Sequence, residues 1–261
     1  MNITESKQVN LSSSSATIKN GSKNSSMVFN LNSILKMEKN ILYNLVSVVH
    51  AQIPCSYYTI NDTNNYLSLS VGNYTFQKGN YNANSFITLF KNTLPVGFNL
   101  VLNNVTGIFT MSYTSNFTIN SNSTCHKIMG FEKTTSYSSS SNSLIFPYPC
   151  NFYGINRIKI KSSIIQTSNL DTYSKGKSNM LVSIPVNSAM NGLITFSNLV
   201  GFKSLFHNQN LDYIDIQLTD EYDNEINFNG IDVFICLQFD TIRSDLPQDN
   251  NLHALLEKNA N

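Results

Sequence analysis

The sequence has no tryptophan, only 11 glycines and few charged residues, which make up 13% of its 261 residues. With so little glycine, it has no glycine-rich loop of the kind that cradles phosphate groups. The net charge is +1 and the basic residues are scattered, so the clustered positive charge of a nucleic-acid-binding protein is missing. No apolar run approaches the roughly 20 residues of a transmembrane helix, and the N-terminus lacks the apolar core of a signal peptide. We therefore expect no nucleic-acid partner, no membrane span and synthesis inside a cell.

Cysteine and histidine are also too few and too dispersed to predict a chemical site. The four cysteines form no CxxC pair, which disfavours a zinc site or a disulfide framework and makes free thiols the expectation. The four histidines lie far apart, and neither HExxH nor GxSxG occurs. The sequence therefore predicts no catalytic residue, no cofactor and no enzyme activity. The residues concerned are Cys55, Cys125, Cys150, Cys236, His50, His126, His207 and His253.

Apolar residues are plentiful, at 41% of the chain, and they recur with the period of two that is typical of β-strands. The clearest alternation lies near the C-terminus, in residues 211–219 and 231–240. In the second run every other residue from Ile231 to Phe239 is apolar, whereas Asp232, Gln238 and Asp240 share the opposite face. An acidic turn joins the two runs, so the pattern predicts a hairpin that closes a β-sheet.

The same pattern predicts about eight to ten strands in all. Residues 45–52 resemble a strand buried on both faces, and residues 66–77 and 98–113 resemble two hairpins, the first turning at Gly72 and Asn73. One short helix begins at Asn84 or Ser85 and ends before Pro95. No fixed period repeats, so the pattern favours an all-β fold over a solenoid, either a two-sheet sandwich or a jelly roll of antiparallel strands, with one short helix and flexible tails.

Composition divides the chain into three parts. Residues 1–26 have too few large apolar groups to offset the entropy of ordering, which predicts a flexible N-terminal arm. Residues 27–242 are predicted to form the jelly-roll domain, with a Ser-rich loop at about 120–152 that contains a helical turn around His126 to Gly130. Residues 243–261 form a C-terminal tail, either a short amphipathic helix or a frayed end.

Two charged clusters are candidates for a site. In the acidic turn, Asp220, Asp223 and Glu225 are weak candidates for holding a cation, but the turn lacks the glycine and the closing glutamate of an EF-hand, so we predict no metal. Arg157, Lys159 and Lys161 alternate with isoleucines, which favours the solvent face of a strand over a phosphate-binding stripe. The interface residues stay unassigned, because alternation alone does not rank exposed positions.

Several short motifs are similar to those of a known protein family. NLVSVV at 44–49 and IPCSYYTIN at 53–61 precede an Asn pair, and GNYN at 79–82 opens the helix. IMGF at 128–131, SIPV at 183–186, LTDE at 218–221 and NGID at 229–232 follow in order. In these motifs, over roughly residues 27–241, the sequence resembles the penton (vertex) and minor capsid proteins of virophages, Polinton-like viruses and related large double-stranded DNA viruses.

The resemblance implies a structural capsid protein, a penton protein that forms pentamers at the fivefold vertices of an icosahedral particle. A major capsid protein of this lineage needs two jelly rolls, and the length here leaves room for one, so the resemblance implies an all-β fold with a single jelly-roll β-sandwich. The implied partners are other copies of the chain, the major capsid protein and a vertex fibre. The implied location is the virion vertex, after synthesis in the host cytoplasm or a virus factory. The alternatives are a minor cementing capsid protein, a glycan- or receptor-binding β-sandwich of a spike or fibre base and, least favoured, an enzyme.

Overall fold

The computed structural model of the chain describes residues 3–32, 43–165, 169–171, 176–206 and 211–242. These residues form antiparallel strands and two α-helices, which confirms the predicted all-β class. The strands are β1 (Ile3–Ser12), β2 (Ile18–Lys19), β3 (Ser26–Asn30), β4 (Tyr43–Pro54), β5 (Tyr66–Leu69), β6 (Gly72–Thr75), β7 (Asn99–Asn103), β8 (Ile108–Ser112), β9 (Thr118–Ile119), β10 (Tyr137–Ser138), β11 (Ser143–Ile145), β12 (Arg157–Lys161), β13 (Asn169–Asp171), β14 (Gly176–Ser178), β15 (Met180–Pro185), β16 (Leu193–Ser197), β17 (Ser204–Phe206), β18 (Tyr213–Thr219) and β19 (Phe234–Ile242). The helices are α1 (Ala83–Thr93) and α2 (His126–Met129).

The chain divides into two compact units, of which the first comprises Met1–Ser56 and Arg157–Asn261. Its first sheet has the order β1-β19-β4-β16, with β17 also beside β4, and its second sheet has the order β15-β12-β18-β3-β2. Val48 of β4 and Leu181 of β15 line one cavity, so the inner faces of the two sheets are opposed. The buried side chains between them include Val46, Ile53, Leu237 and Phe239 of the first sheet and Phe29, Ile158, Ile214 and Leu218 of the second.

The strand order of the first unit is that of a jelly roll. Its eight principal strands, in chain order, are β1, β3, β4, β12, β15, β16, β18 and β19. One sheet contains the first, eighth, third and sixth of these strands, side by side in that order. The other sheet contains the second, seventh, fourth and fifth, also in that order. This arrangement of two Greek keys is the jelly-roll topology. The observed unit differs in two respects from the single jelly-roll domain expected over residues 27–242. It begins at β1 rather than at residue 27, and its third and fourth strands, β4 and β12, are separated in sequence by the second unit.

The N-terminal segment is not the flexible arm that its composition predicts. Strand β1 pairs with β19 along its length, from the Ile3–Ile242 pair to the Ser12–Phe234 pair. Its inward-facing Val9 and Leu11 are each only 5% exposed. The burial of these two side chains and the long-range backbone hydrogen bonds to β19 together hold this otherwise polar segment in the sheet. The tail from residue 243 onward lies outside the described residues.

The predicted closing hairpin is also wrong, although its two strands are present. Strand β18 pairs with β3 and β12 in the second sheet, whereas β19 pairs with β1 and β4 in the first. Residues 220–233 therefore cross from one sheet to the other. Alternation correctly predicts that Ile235, Leu237 and Phe239 are buried. Ile231, expected on the same face, is 52% exposed, and Asp240, expected on the polar face, is buried. Alternation also carries no information about which strand lies alongside.

The second unit is Tyr57–Asn156, with a sheet of order β10-β9-β5-β6 and a sheet of order β11-β8-β7. The hairpin of β7 and β8 is as predicted, whereas that of β5 and β6 turns at residues 70–71, because Leu69 pairs with Gly72. Helix α1 begins at Ala83, one or two residues earlier than expected, since Asn82 and Ser85 form a reciprocal capping box. Phe86 and Phe90 of α1 are completely buried in a core rich in aromatic rings.

The Ser-rich segment 120–152 is more ordered than a long loop. It contains the expected helical turn, α2, and also β10 and β11. Gly130 ends α2 at φ +86°, and a Cβ atom there would overlap the carbonyl oxygen of Tyr148. Glycine is therefore required at this position, both for its left-handed backbone and for the close approach of the neighbouring chain.

Candidate interaction surfaces

The acidic turn after β18 uses its carboxylates within the protein. Asp220 accepts a hydrogen bond from the backbone N–H of Asn224 (2.9 Å), which shapes the turn. Glu225 accepts one from Asn20 Nδ2 (3.1 Å) and lies 3.7 Å from Lys23 Nζ. These two candidate metal ligands therefore stabilise the loop between the two sheets.

The third candidate, Asp223, joins the acidic turn to the basic stripe on β12. Its Oδ1 lies 3.1 Å from Lys159 Nζ and 2.5 Å from Lys161 Nζ. Burial alone would raise the pKa of the Asp223 carboxyl, but hydrogen bonds from Lys161 and Lys159 outweigh this effect and lower the pKa below its ordinary value. Lys159 is only 7% exposed, so its predicted place on the solvent face is wrong. A cation at this turn would have to displace two ammonium groups.

The dispersed cysteines and histidines do not come together. None of the four cysteines, all of which lie in the described ranges, forms a disulfide, and burial raises the pKa of Cys125 far above its ordinary value, which makes its thiol unreactive. His50 is exposed on the outer face of the first sheet, contrary to the predicted burial of both faces of residues 45–52, and its Nδ1 lies 3.1 Å from Ser197 Oγ. His207 and His253 lie outside the described residues. Within the described ranges no three His, Cys, Asp or Glu side chains form a metal-binding group.

The outer face of the first sheet carries two rows of mostly polar, uncharged side chains. Register places Ser12, Phe234, Gln52 and Thr195 side by side in one row, across β1, β19, β4 and β16. The adjacent row is Asn10, Cys236, His50 and Ser197. Within these rows, the residues of β1, β19 and β4 line an open groove of about 620 Å³. The phenyl ring of Phe234 is 49% exposed there.

A second surface is the short loop between β16 and β17. Leu199 and Val200 at its tip are each 94% exposed, and Phe202 is 47% exposed. The loop is ordered by a reciprocal pair of hydrogen bonds, from Asn198 Nδ2 to the Phe202 carbonyl (2.9 Å) and from the Phe202 N–H to Asn198 Oδ1 (3.2 Å). Val200 and Phe202 also line a cavity of about 260 Å³ that Val48 and Leu181 complete. We call residues 198–203 the apolar loop.

Neither surface follows from the sequence pattern. The polar rows combine residues from four strands that are far apart in the chain. The apolar loop had a weak signal, because Leu199, Val200 and Phe202 surround Gly201 between two strands, where turns are normally polar. An apolar turn between strands is a feature that sequence reasoning could have selected.

No family model matches the chain, and no curated protein sequence is significantly similar to it. Two solved structures match most of it. The crystal structure of the mavirus penton protein has a TM-score of 0.47 and 13% identity, covering 91% of this chain and 100% of that chain. The cryo-EM structure of the Sputnik virophage has a TM-score of 0.46 and 11% identity, covering 90% and 97%. None of the helices in the described ranges is long and apolar enough to cross a bilayer.

Proposed function

We propose that this chain is a structural capsid protein, a penton protein whose pentamers occupy the fivefold vertices of an icosahedral double-stranded DNA virus. The motifs that resemble penton and minor capsid proteins suggest the capsid role, since a jelly roll alone does not specify a function. The observation that carries the proposal is the apolar loop, an ordered surface feature suited to contact with another copy of the chain.

The physical argument begins with the exposure of Leu199 and Val200. A fully exposed aliphatic side chain gains about 1.5 to 3 kcal/mol when a partner buries it. The Asn198–Phe202 hydrogen bonds hold the loop in place beforehand, so contact costs little conformational entropy. Two such residues at the tip of one loop therefore favour association over a monomer.

The loop also suggests the symmetry of the assembly. A protruding apolar loop that contacts a different surface of the next copy makes a heterologous contact. Repeated contacts of this kind close into a ring when the rotation between copies allows it, and a pentamer is the ring that a fivefold vertex needs.

In this role the partners are other copies of the chain, the neighbouring major capsid protein and a vertex fibre. The mature protein is located in the virion, after synthesis in the host cytoplasm or a virus factory. It carries out no catalytic turnover. Its contacts are those of weakly charged surfaces, which depend little on ionic strength.

Native mass spectrometry of the full chain tests the proposal. The wild-type protein should form pentamers that persist in moderate salt, and a Leu199→Asp/Val200→Asp variant should be monomeric while its thermal unfolding is unchanged. Val105→Asp is the matched control, since Val105 is 95% exposed on a turn of the second unit. A monomeric wild-type protein, or equal disruption by both variants, would contradict the proposed contact. Density for another polypeptide at the vertex in a particle reconstruction would contradict the capsid position.

A further inference from the structure

We propose that the groove on the outer face of the first sheet binds a neutral glycan, with the ring of Phe234 as the stacking surface and the amides of Asn10 and Gln52 as hydrogen-bonding groups. This inference goes beyond the proposed capsid role and does not depend on it. The groove measures about 620 Å³, within the range of about 300 to 1,000 Å³ that is usual for small-ligand sites.

The first step is the placement of the side chains. Phe234 is paired with Ser12 on one side and Gln52 on the other, so its ring lies between a hydroxyl and an amide. One row along, Asn10 and His50 flank Cys236. Because directly opposed residues of antiparallel strands point to the same face, these groups all face the groove.

The second step is charge. The side chains that line the groove are amides, hydroxyls, apolar groups, a thiol and an imidazole, with no carboxylate, lysine or arginine among them. Asp240 lies on the same outer face but is fully buried, and Lys203 Nζ lies 2.7 Å from its Oδ2. A charged ligand would find no counter-charge in this groove, whereas an uncharged ligand has nothing to repel it.

The third step is the supply of hydrogen bonds. The side-chain amides of Asn10 and Gln52 are exposed and make no hydrogen bond to other residues in the described part of the chain. Each amide offers one acceptor and two donors. Gln8 donates its Nε2 to Gln238 Oε1 (3.3 Å), which leaves its carbonyl oxygen for a ligand. Paired donors and acceptors of this kind match the vicinal hydroxyl groups of a sugar.

The fourth step is the aromatic ring. The face of Phe234 carries the partial negative charge of its π-system, which attracts the polarised C–H groups of a pyranose ring. A protein partner would instead be expected to find several apolar anchors at the centre of its contact surface. The groove exposes one aromatic ring surrounded by amides and hydroxyls, which favours a sugar over a protein.

Saturation-transfer NMR and titration calorimetry on the full chain test the inference. The probes are four neutral trisaccharides, maltotriose, cellotriose, mannotriose and chitotriose, with the charged 3′-sialyllactose for comparison. At least one neutral trisaccharide should bind with a Kd of about 1 mM or tighter, and its C–H protons should receive saturation from aromatic protons. Sialyllactose should bind more weakly than that trisaccharide.

Variants locate the site. Phe234→Ala should weaken binding about tenfold, and Gln52→Ala should weaken it several-fold. Phe202→Ala is the matched control, because Phe202 is 47% exposed against 49% for Phe234 but lies in the apolar loop. The control should bind within about twofold of the wild type. Unchanged melting temperatures would establish that each variant keeps its fold.

Three results would overturn the inference. They are the absence of binding by every neutral trisaccharide, an equal loss of affinity in Phe202→Ala, and tighter binding of sialyllactose. A Phe234→Ala variant that dissociates an oligomer and leaves sugar binding unchanged would also overturn it, and would identify the groove as a protein contact. The pentamer experiment has a different readout and different variants, so the two proposals can fail separately.

Discussion

Replacement of Lys203 by Met should destabilise the first unit by about 3 kcal/mol. Asp240 in β19 is completely buried, and its carboxylate accepts hydrogen bonds from Lys203 Nζ (2.7 Å), from Gln238 Nε2 (3.0 Å) and from the Ser6 hydroxyl. Removing the cation leaves a buried charge that the two neutral donors only partly compensate. Breaking a buried pair in this way costs about 3 to 5 kcal/mol. The Lys203 side chain is 26% exposed, so water screens part of the pair and the lower figure applies.

The double variant Lys203→Met/Asp240→Asn separates the effect of charge from loss of packing. If the cost comes from the unpaired carboxylate, an amide at position 240 should restore more than half of the lost stability. Urea unfolding of the wild type, both single variants and the double variant gives the coupling free energy directly. A Lys203→Met protein within about 0.5 kcal/mol of the wild type would refute the reasoning, as would a double variant less stable than either single variant.

The same pair predicts a dependence on pH. Burial alone would raise the pKa of Asp240, but hydrogen bonds from Lys203, Ser6 and Gln238 lower it below its ordinary value. Because the folded-state pKa is depressed, this stabilisation is complete above the unfolded value of about 3.9 and is lost as the pH falls through the folded value. In Lys203→Met burial is less opposed, so the folded-state pKa of Asp240 is higher and the loss of stability on acidification should be smaller than in the wild type. Unfolding measured between neutral pH and about pH 3 tests this shift.

Two further substitutions test the fold. Ile235→Asp places a carboxylate on the inner face of β19, so it should lower the free energy of unfolding by more than about 3 kcal/mol and abolish soluble expression. Gln52→Asp on the outer face should change the free energy of unfolding by no more than about 0.5 kcal/mol. Equal melting temperatures of the two variants would mean that the assigned register is wrong. Gly130→Ala should lower the stability measured by thermal unfolding by about 3 kcal/mol, because the added Cβ would overlap Tyr148. Gly21→Ala is the control, since Gly21 has φ +64° but open space around it, and it should lose only the ~1 to 2 kcal/mol that a left-handed backbone costs. Equal losses in the two variants would exclude the steric effect.

The structure also changes an expectation drawn from alternation. On sequence grounds, Gln238 occupies the polar face of β19, where an added charge is tolerated. In the fold its Nε2 donates to Asp240, so Gln238→Asp would place two carboxylates together in a part-buried site. Like charges at this separation are unfavourable, and the substitution is no longer expected to be neutral.

The local elements of secondary structure can be predicted from the order of amino acids alone. The hairpin of β7 and β8, strand β16, the helical turn before Gly130 and the end of α1 before Pro95 all follow from turn residues, capping residues and a period of two. These features depend on interactions within a few residues, which the order of amino acids specifies directly. The number and spacing of such strands favour an all-β fold, either a two-sheet sandwich or a jelly roll.

The pairing of the strands, in contrast, is visible in the tertiary structure and not in the sequence pattern. Strand β1 has too little apolar surface to be recognised, yet it is held by hydrogen bonds to β19, more than 200 residues away. The same long-range pairing separates β18 from β19, buries Asp240 beside Lys203 and brings Asn10, Gln52 and Phe234 into one groove. A backbone hydrogen bond carries no signature of its distant partner in the local sequence, so both candidate surfaces are consequences of topology.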